Sequence, residues 1–137
     1  MRDLMKYILF VCTENSARSQ IAEALFNHYN KNPEYSGISA GTDPAQSIKQ
    51  EAIEVMREKG LDISKQRPKM LTLEMAQKAH KIYTMGCVKT CPLTPPEKTE
   101  DWELEDPAGK PIEKFREVRD DIERRIRKSI AELEQTG

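Results

Sequence analysis

The sequence predicts an α/β fold: a parallel sheet with helices on both faces. Three observations predict it. Residues 7–11 (YILFV) form an unbroken apolar run of the kind found in a parallel strand covered on both sides. From Ser19 the apolar period becomes helical, with Ile21, Ala22, Leu25, Phe26 and Tyr29 on one stripe. Strand-like and helix-like segments then alternate to the end of the chain, the pattern of a sheet flanked by helices.

Residues 30–33 (NKNP) end the first helix, and residues 35–42 (YSGISAGT) read as a second strand running into a glycine turn. Ile48, Ala52, Val55 and Met56 share one face of a second helix, which Gly60 stops. A small helix over residues 73–79, with Thr72 as its N-cap, precedes a third strand at residues 80–85 (HKIYTM). Residues 86–110 exceed the usual length of a loop in a compact domain, and such loops are commonly functional. A brief strand is expected within them at residues 102–104 (WEL). Pro111 opens the last helix, whose apolar stripe is Phe115, Val118, Ile122, Ile126, Ile130 and Leu133. With no internal repeat, linker or low-complexity tract, residues 1–137 read as a single domain.

The chain carries 22 basic and 23 acidic residues, a net charge of −1. That balance argues against nucleic acid or a membrane surface as partner, since both call for a basic excess. No apolar run approaches the roughly 20 residues of a membrane helix, and the one near the N-terminus is too short for a secretory signal. The expected location is the cytoplasm. In that reducing compartment Cys12, Cys87 and Cys91 are not expected to form a structural disulfide framework.

Cys12 stands at the end of the first strand, where ligands bind in open α/β sheets. The helix that starts near Arg18 brings unpaired N–H groups and a positive dipole end to the same place. Residues 13–17, Thr13, Glu14, Asn15, Ser16 and Ala17, can aim N–H groups inward as an anion nest. The turn contains no glycine, and Asn15 is the residue best able to adopt a left-handed conformation there. Arg18 can grip a tetrahedral oxyanion through two parallel hydrogen bonds, and Ser19 offers a hydroxyl to the sulfur. Lowering the Cys12 pKa by about three units, worth about 4 kcal/mol, would make the thiol almost wholly ionised at neutral pH. The loop thus suits an oxyanion held over a thiolate nucleophile. The plain alternative is a buried cysteine acting as a small hydrophobe.

CTENSARSQ from residue 12, SAGT at 39–42, LDIS at 61–64, CPLTPP at 91–96 and DWELEDPAG at 101–109 occur in an order that resembles the arsenate reductases of the low-molecular-weight tyrosine phosphatase fold. The resemblance runs from Tyr7 to about Ile126. It implies a four-stranded parallel sheet and reduction of arsenate to arsenite, with phosphate or sulfate as substrate analogues. Cys12 would attack arsenate, Arg18 and the loop would hold its oxygens, and Asp106 would act as general acid. Cys87 and Cys91 would carry the disulfide onward to a thioredoxin-like reductant. The spacing GCVKTCP is shorter than in the thioredoxin-coupled members, so Cys91 matches better than Cys87, and a small thiol is the other candidate reductant. The resemblance also implies a potassium site at Asn15, Glu23, Ser39 and Asp62, with no tightly bound organic cofactor.

Three other readings use the same residues. A protein tyrosine phosphatase would employ Cys12, Arg18 and Asp106 through a phosphocysteine, although Ala108 and Gly109 stand where tyrosines often follow Asp-Pro in that family. A structural zinc site would need Cys87 and Cys91 joined by Cys12, His28 or His80, and both histidines read as ordinary boundary residues. An oxyanion sensor could share the nest but would not need Asp106 or the cysteine pair. Trp102 reads as a loop anchor, and the charged run REVRDDIERRIRK as the solvated face of the last helix.

Overall fold

The apolar run near the N-terminus is strand β1, Lys6–Cys12, buried from Ile8 onward. The structure is a computed structural model that describes residues 5–86 and 94–136. Because successive side chains of β1 point to opposite faces, Ile8, Phe10 and Cys12 enter one core while Leu9 and Val11 enter another. Both faces must therefore be covered. Helices α1 (Arg18–Tyr29), α2 (Gln50–Arg57) and α4 (Ile112–Thr136) cover the first, and α3 (Leu73–Lys78) covers the second.

β1 lies between β2 (Tyr35–Gly41) and β3 (Ala79–Thr84), and β4 (Thr99–Asp101) extends the sheet beyond β3. The order is β2-β1-β3-β4 and every pairing is parallel. The chain leaves β1 to one side and returns on the other, so a crevice opens beyond the carboxyl ends of β1 and β3. The predicted four-stranded parallel sheet with helices on both faces is the fold observed.

Local signals act as their chemistry requires. Thr72 Oγ1 accepts the Met75 N–H at 3.1 Å as the N-cap of α3. Gly60 takes a φ of 77° just beyond α2. The α4 stripe from Phe115 to Ile130 is buried in the first core. The fourth strand corrects the sequence reading, because it occupies Thr99–Asp101 rather than residues 102–104. Trp102 adds a single rung, its N–H reaching Thr84 O at 2.8 Å. The chain then turns at Glu103, with a φ of 51°, while Trp102 packs its ring against Tyr83 at 4.5 Å and Phe10 at 6.0 Å. Burial of the Trp102 and Leu104 side chains has won over sheet extension. No helix among the described residues is long and apolar enough to cross a membrane.

Two devices lock the parts that carry the crevice. Gly86, with a φ of 83°, lets the chain after β3 cross the chain after β4, since a Cβ there would lie 2.7 Å from Glu103 Cα. Glu58, just past α2, is forked by Arg116 at 2.9–3.2 Å and by Arg119 at 2.6 Å, and Arg119 also donates to Val55 O at 2.8 Å. These hydrogen bonds, Arg116 first, hold the Glu58 carboxyl down to about 2 from its usual 4.5.

Two outcomes are expected. Gly86→Ala destabilises by about 2 kcal/mol or more, because it meets both a strained φ and a backbone collision, and it lowers the denaturant midpoint at unchanged m. The Glu58 contribution is complete above pH 4.5 and is lost as the pH falls through about 2, since the folded state binds the proton more weakly. In Glu58→Gln the melting temperature therefore falls less between pH 5 and pH 2 than in the parent.

Candidate active site

The segment after Cys12 must pass from strand to helix without glycine, and Asn15 makes the turn with a φ of 51°. Its outer side is pinned by the next segment. The carbonyls of Cys12, Thr13, Glu14 and Ser16 accept the N–H groups of Thr42, Asp43, Ala45 and Lys49 at 2.8–3.3 Å. Gly41 makes this approach feasible, because a Cβ there would stand 2.6 Å from Thr13 O. With loop carbonyls turned outward, loop N–H groups turn inward, and that of Asn15 reaches Cys12 Sγ at 3.1 Å.

The Asn15 side chain then sets the direction of a hydrogen-bond chain. Its Oδ1 accepts from the Lys69 N–H and from Gln20 Nε2, both at 2.9 Å. Its Nδ2 must therefore donate, and does so to Ser19 Oγ at 2.6 Å. Asn15 thus takes one acceptor position of Ser19 Oγ, which lies 2.9 Å from Cys12 Sγ and can donate its proton to a thiolate there. The sulfur thus faces a hydroxyl and a backbone N–H, both of which favour thiolate over thiol. Cys12, at 3% exposure, is open to only a small ligand.

Arg18 is 5% exposed and is held by backbone alone at one nitrogen: Nη1 donates to Met85 O at 2.9 Å and Leu104 O at 3.1 Å. Nη2 stands 3.6 Å from Asp106 Oδ2. Asp106 is exposed, and its Oδ1 accepts the Ala108 N–H at 3.0 Å. Asp106 thus caps the turn that follows it, and its second oxygen faces the site. The neighbouring Glu105 pairs with Lys110 and Lys114, which hold its carboxyl below the usual range, Lys110 most strongly.

Cys12, Thr13, Glu14, Ser16, Ala17, Arg18 and Asp106 line one pocket of about 150 Å³, a volume suited to a tetrahedral oxyanion with a water or two. Asn15 and Ser19 are buried and shape it through hydrogen bonds. Cys87 and Cys91 lie outside the described residues.

The residues named for potassium are differently engaged. Ser39 Oγ donates to Glu23 Oε1 at 2.7 Å, and the Lys69 ammonium stands 3.8 Å from the same oxygen. Asn15 Oδ1 already accepts two hydrogen bonds, while Asp62, exposed, accepts the Ser64 N–H at 2.9 Å. As arranged, this set does not fit a potassium ion. His28 and His80 are exposed, and no group of three or more His, Cys, Asp or Glu suited to a metal occurs among the described residues.

Sequence reading missed Lys49, which also lines the pocket, and Gln20, which donates to Asn15 O, Asn15 Oδ1 and Arg67 O. Gln20 closes the CTENSARSQ stretch and was legible there. The Met85 and Leu104 carbonyls were not, because a backbone acceptor has no side-chain signature.

Residues 7–137 match the profile of the low molecular weight phosphotyrosine protein phosphatase family. The chain belongs to that family. Among its curated relatives is an arsenate reductase of Brevibacillus brevis, 39% identical over 126 residues that cover 90% of this chain and 92% of the relative. Among solved structures, a thioredoxin-dependent arsenate reductase of Corynebacterium glutamicum is 34% identical with a TM-score of 0.83, covering 100% of this chain and 66% of that one. An arginine phosphatase of Geobacillus stearothermophilus is 30% identical with the same TM-score of 0.83, covering 96% and 94% of the two chains. Solved structures similar to this chain thus include both a reductase and a phosphatase.

The hydrogen-bond chain to the sulfur has a direct consequence. Ser19→Ala is expected to slow alkylation of Cys12 by iodoacetamide at pH 7 by about tenfold, at unchanged far-ultraviolet circular dichroism.

Proposed function

We propose that the chain reduces arsenate to arsenite with Cys12 as nucleophile. One observation carries this reading: a backbone N–H and the Ser19 hydroxyl converge on the Cys12 sulfur, in a pocket that also holds Arg18. The relatives named arsenate reductases support the choice of substrate.

In the first step the Cys12 thiolate attacks arsenic. A sulfur–arsenic bond forms and one oxygen leaves as water, protonated by Asp106. Arg18 and the loop N–H groups hold the remaining oxygens. In the second step a thiolate, assigned to Cys87, attacks Cys12 Sγ. A disulfide forms, the sulfur–arsenic bond breaks, and its electron pair stays on arsenic, which departs as arsenite. Arsenic is reduced by two electrons and the two sulfurs are oxidised. Cys91 then displaces Cys12 from Cys87, and a thioredoxin-like dithiol reduces the Cys87–Cys91 bond. Two facts support this route: Met85, which holds Arg18, precedes Cys87 by two positions, and one structural relative is named thioredoxin-dependent. The scheme needs neither potassium nor an organic cofactor, and its reductant suits a cytoplasmic setting.

Removal of a phosphoryl group from a protein side chain is the second reading, supported by the family description, which names phosphotyrosine, and by the arginine phosphatase. In it Cys12 attacks phosphorus, the bond to the substrate group breaks as Asp106 protonates that group, and water then attacks the phosphocysteine to release phosphate and the thiolate. Reduced protein treated with excess arsenate and no other reductant separates the two. Reduction predicts about one arsenite per chain and a Cys87–Cys91 disulfide on peptide mapping. Three intact thiols, no arsenite, and catalytic turnover of an aryl phosphate would establish the phosphatase instead.

A further inference from the structure

The Cys12 pocket holds a second cation that the steps above leave unused. Lys49 lines it together with Cys12, Arg18 and Asp106. Backbone places it there: the Lys49 N–H donates to Ser16 O at 2.9 Å, pinning the residue before α2 against the loop. Its ammonium stands 3.4 Å from Glu14 Oε1, which also accepts from Ser16 Oγ at 3.3 Å. Two cation–carboxylate pairs therefore share one pocket, Arg18 with Asp106 and Lys49 with Glu14.

The two cations differ in freedom. Arg18 is buried and fixed by two carbonyls. The Lys49 side chain is 30% exposed and that of Glu14 52%, and a lysine ammonium on its four-carbon stem can reorient at little cost. A doubly charged oxyanion over Cys12 competes with Glu14 for that ammonium and offers it more charge. A solvated ion pair at this distance is weak, so the exchange is easy.

We propose that Lys49 is the second oxyanion-binding cation of the site, and that Glu14 is the counter-ion it leaves when a tetrahedral oxyanion enters. This rests on the oxyanion reading of the Cys12 pocket. Glu14 thus acts twice. Its backbone is part of the nest, and its carboxylate keeps Lys49 beside the pocket while weakening binding by competition.

The test is the binding of inorganic phosphate to the reduced chain, read by calorimetry and by protection of Cys12 from iodoacetamide at low and high salt. Lys49→Gln is expected to weaken binding about fivefold and to flatten its salt dependence, and Lys49→Arg to restore most of both. Glu14→Gln is expected to tighten binding about threefold with Lys49 present and to have little effect when combined with Lys49→Gln. Parent-like binding by Lys49→Gln at both salt concentrations overturns the proposal and leaves the oxyanion site standing. So does equal tightening by Glu14→Gln with and without Lys49. A parent chain that neither binds phosphate nor protects Cys12 overturns this proposal and the oxyanion reading together.

Discussion

The site is organised around the burial of one guanidinium. An arginine taken almost wholly out of water is costly unless its N–H groups find acceptors. Arg18 meets this by giving Nη1 to the carbonyls of Met85 and Leu104, on two segments that follow different strands. The hydrogen bonds need those segments to lie against one another, and the Gly86–Glu103 crossing provides the contact. Once Nη1 is committed to carbonyls, the Nη2 side of the fork is the side left for an oxyanion. Asp106, at 3.6 Å, touches it too loosely to compete as a bidentate partner would.

The same economy of acceptors explains the sulfur. Around Cys12, chain geometry leaves little for side chains to decide: four loop carbonyls are bound on the outside, so their peptide planes are set. What remains adjustable is the Ser19 proton, and Asn15 restricts it by donating to the same oxygen, because the Lys69 N–H fixes Asn15. A backbone donor some fifty residues along the chain therefore sets which end of the Asn15 amide faces the hydroxyl beside the nucleophile. In this arrangement loss of the Asn15 amide would leave Ser19 free to rotate, with no change in the composition of the pocket wall.

Most of this plan was legible because local signals dominate it. The run at residues 7–11, the 3.6-residue stripes of α1, α2 and α4, and the Thr72 and Gly60 boundaries each follow from a few neighbouring residues. The loop motif was legible for the same reason, since strand, nest and helix are contiguous. The fourth strand was misplaced by three residues because alternation in WEL reflects the burial of Trp102 and Leu104, not their pairing. Lys49 went unseen because it reaches the pocket through a backbone bond to Ser16, a contact between segments that sequence spacing does not encode. The residues named for potassium are engaged otherwise for a related reason. All four are present, but Lys69, which no spacing rule includes, brings an ammonium to Glu23 and a backbone N–H to Asn15.

A pocket of this kind does not by itself choose between hydrolysis and reduction, because both begin with a thiolate attacking a tetrahedral centre. The choice is made after the covalent adduct forms, by whichever nucleophile reaches it. Water attacks the central atom, and the Asp106 carboxylate lines the same pocket. A thiol attacks the sulfur, and then the bond from sulfur to the central atom must break with both electrons remaining on that atom. Arsenic(V) accepts a pair readily and phosphorus(V) does not, so the same fold can reduce one oxyanion and hydrolyse esters of the other. On the proposed scheme that thiol belongs to Cys87, the residue that follows Gly86 in the sequence.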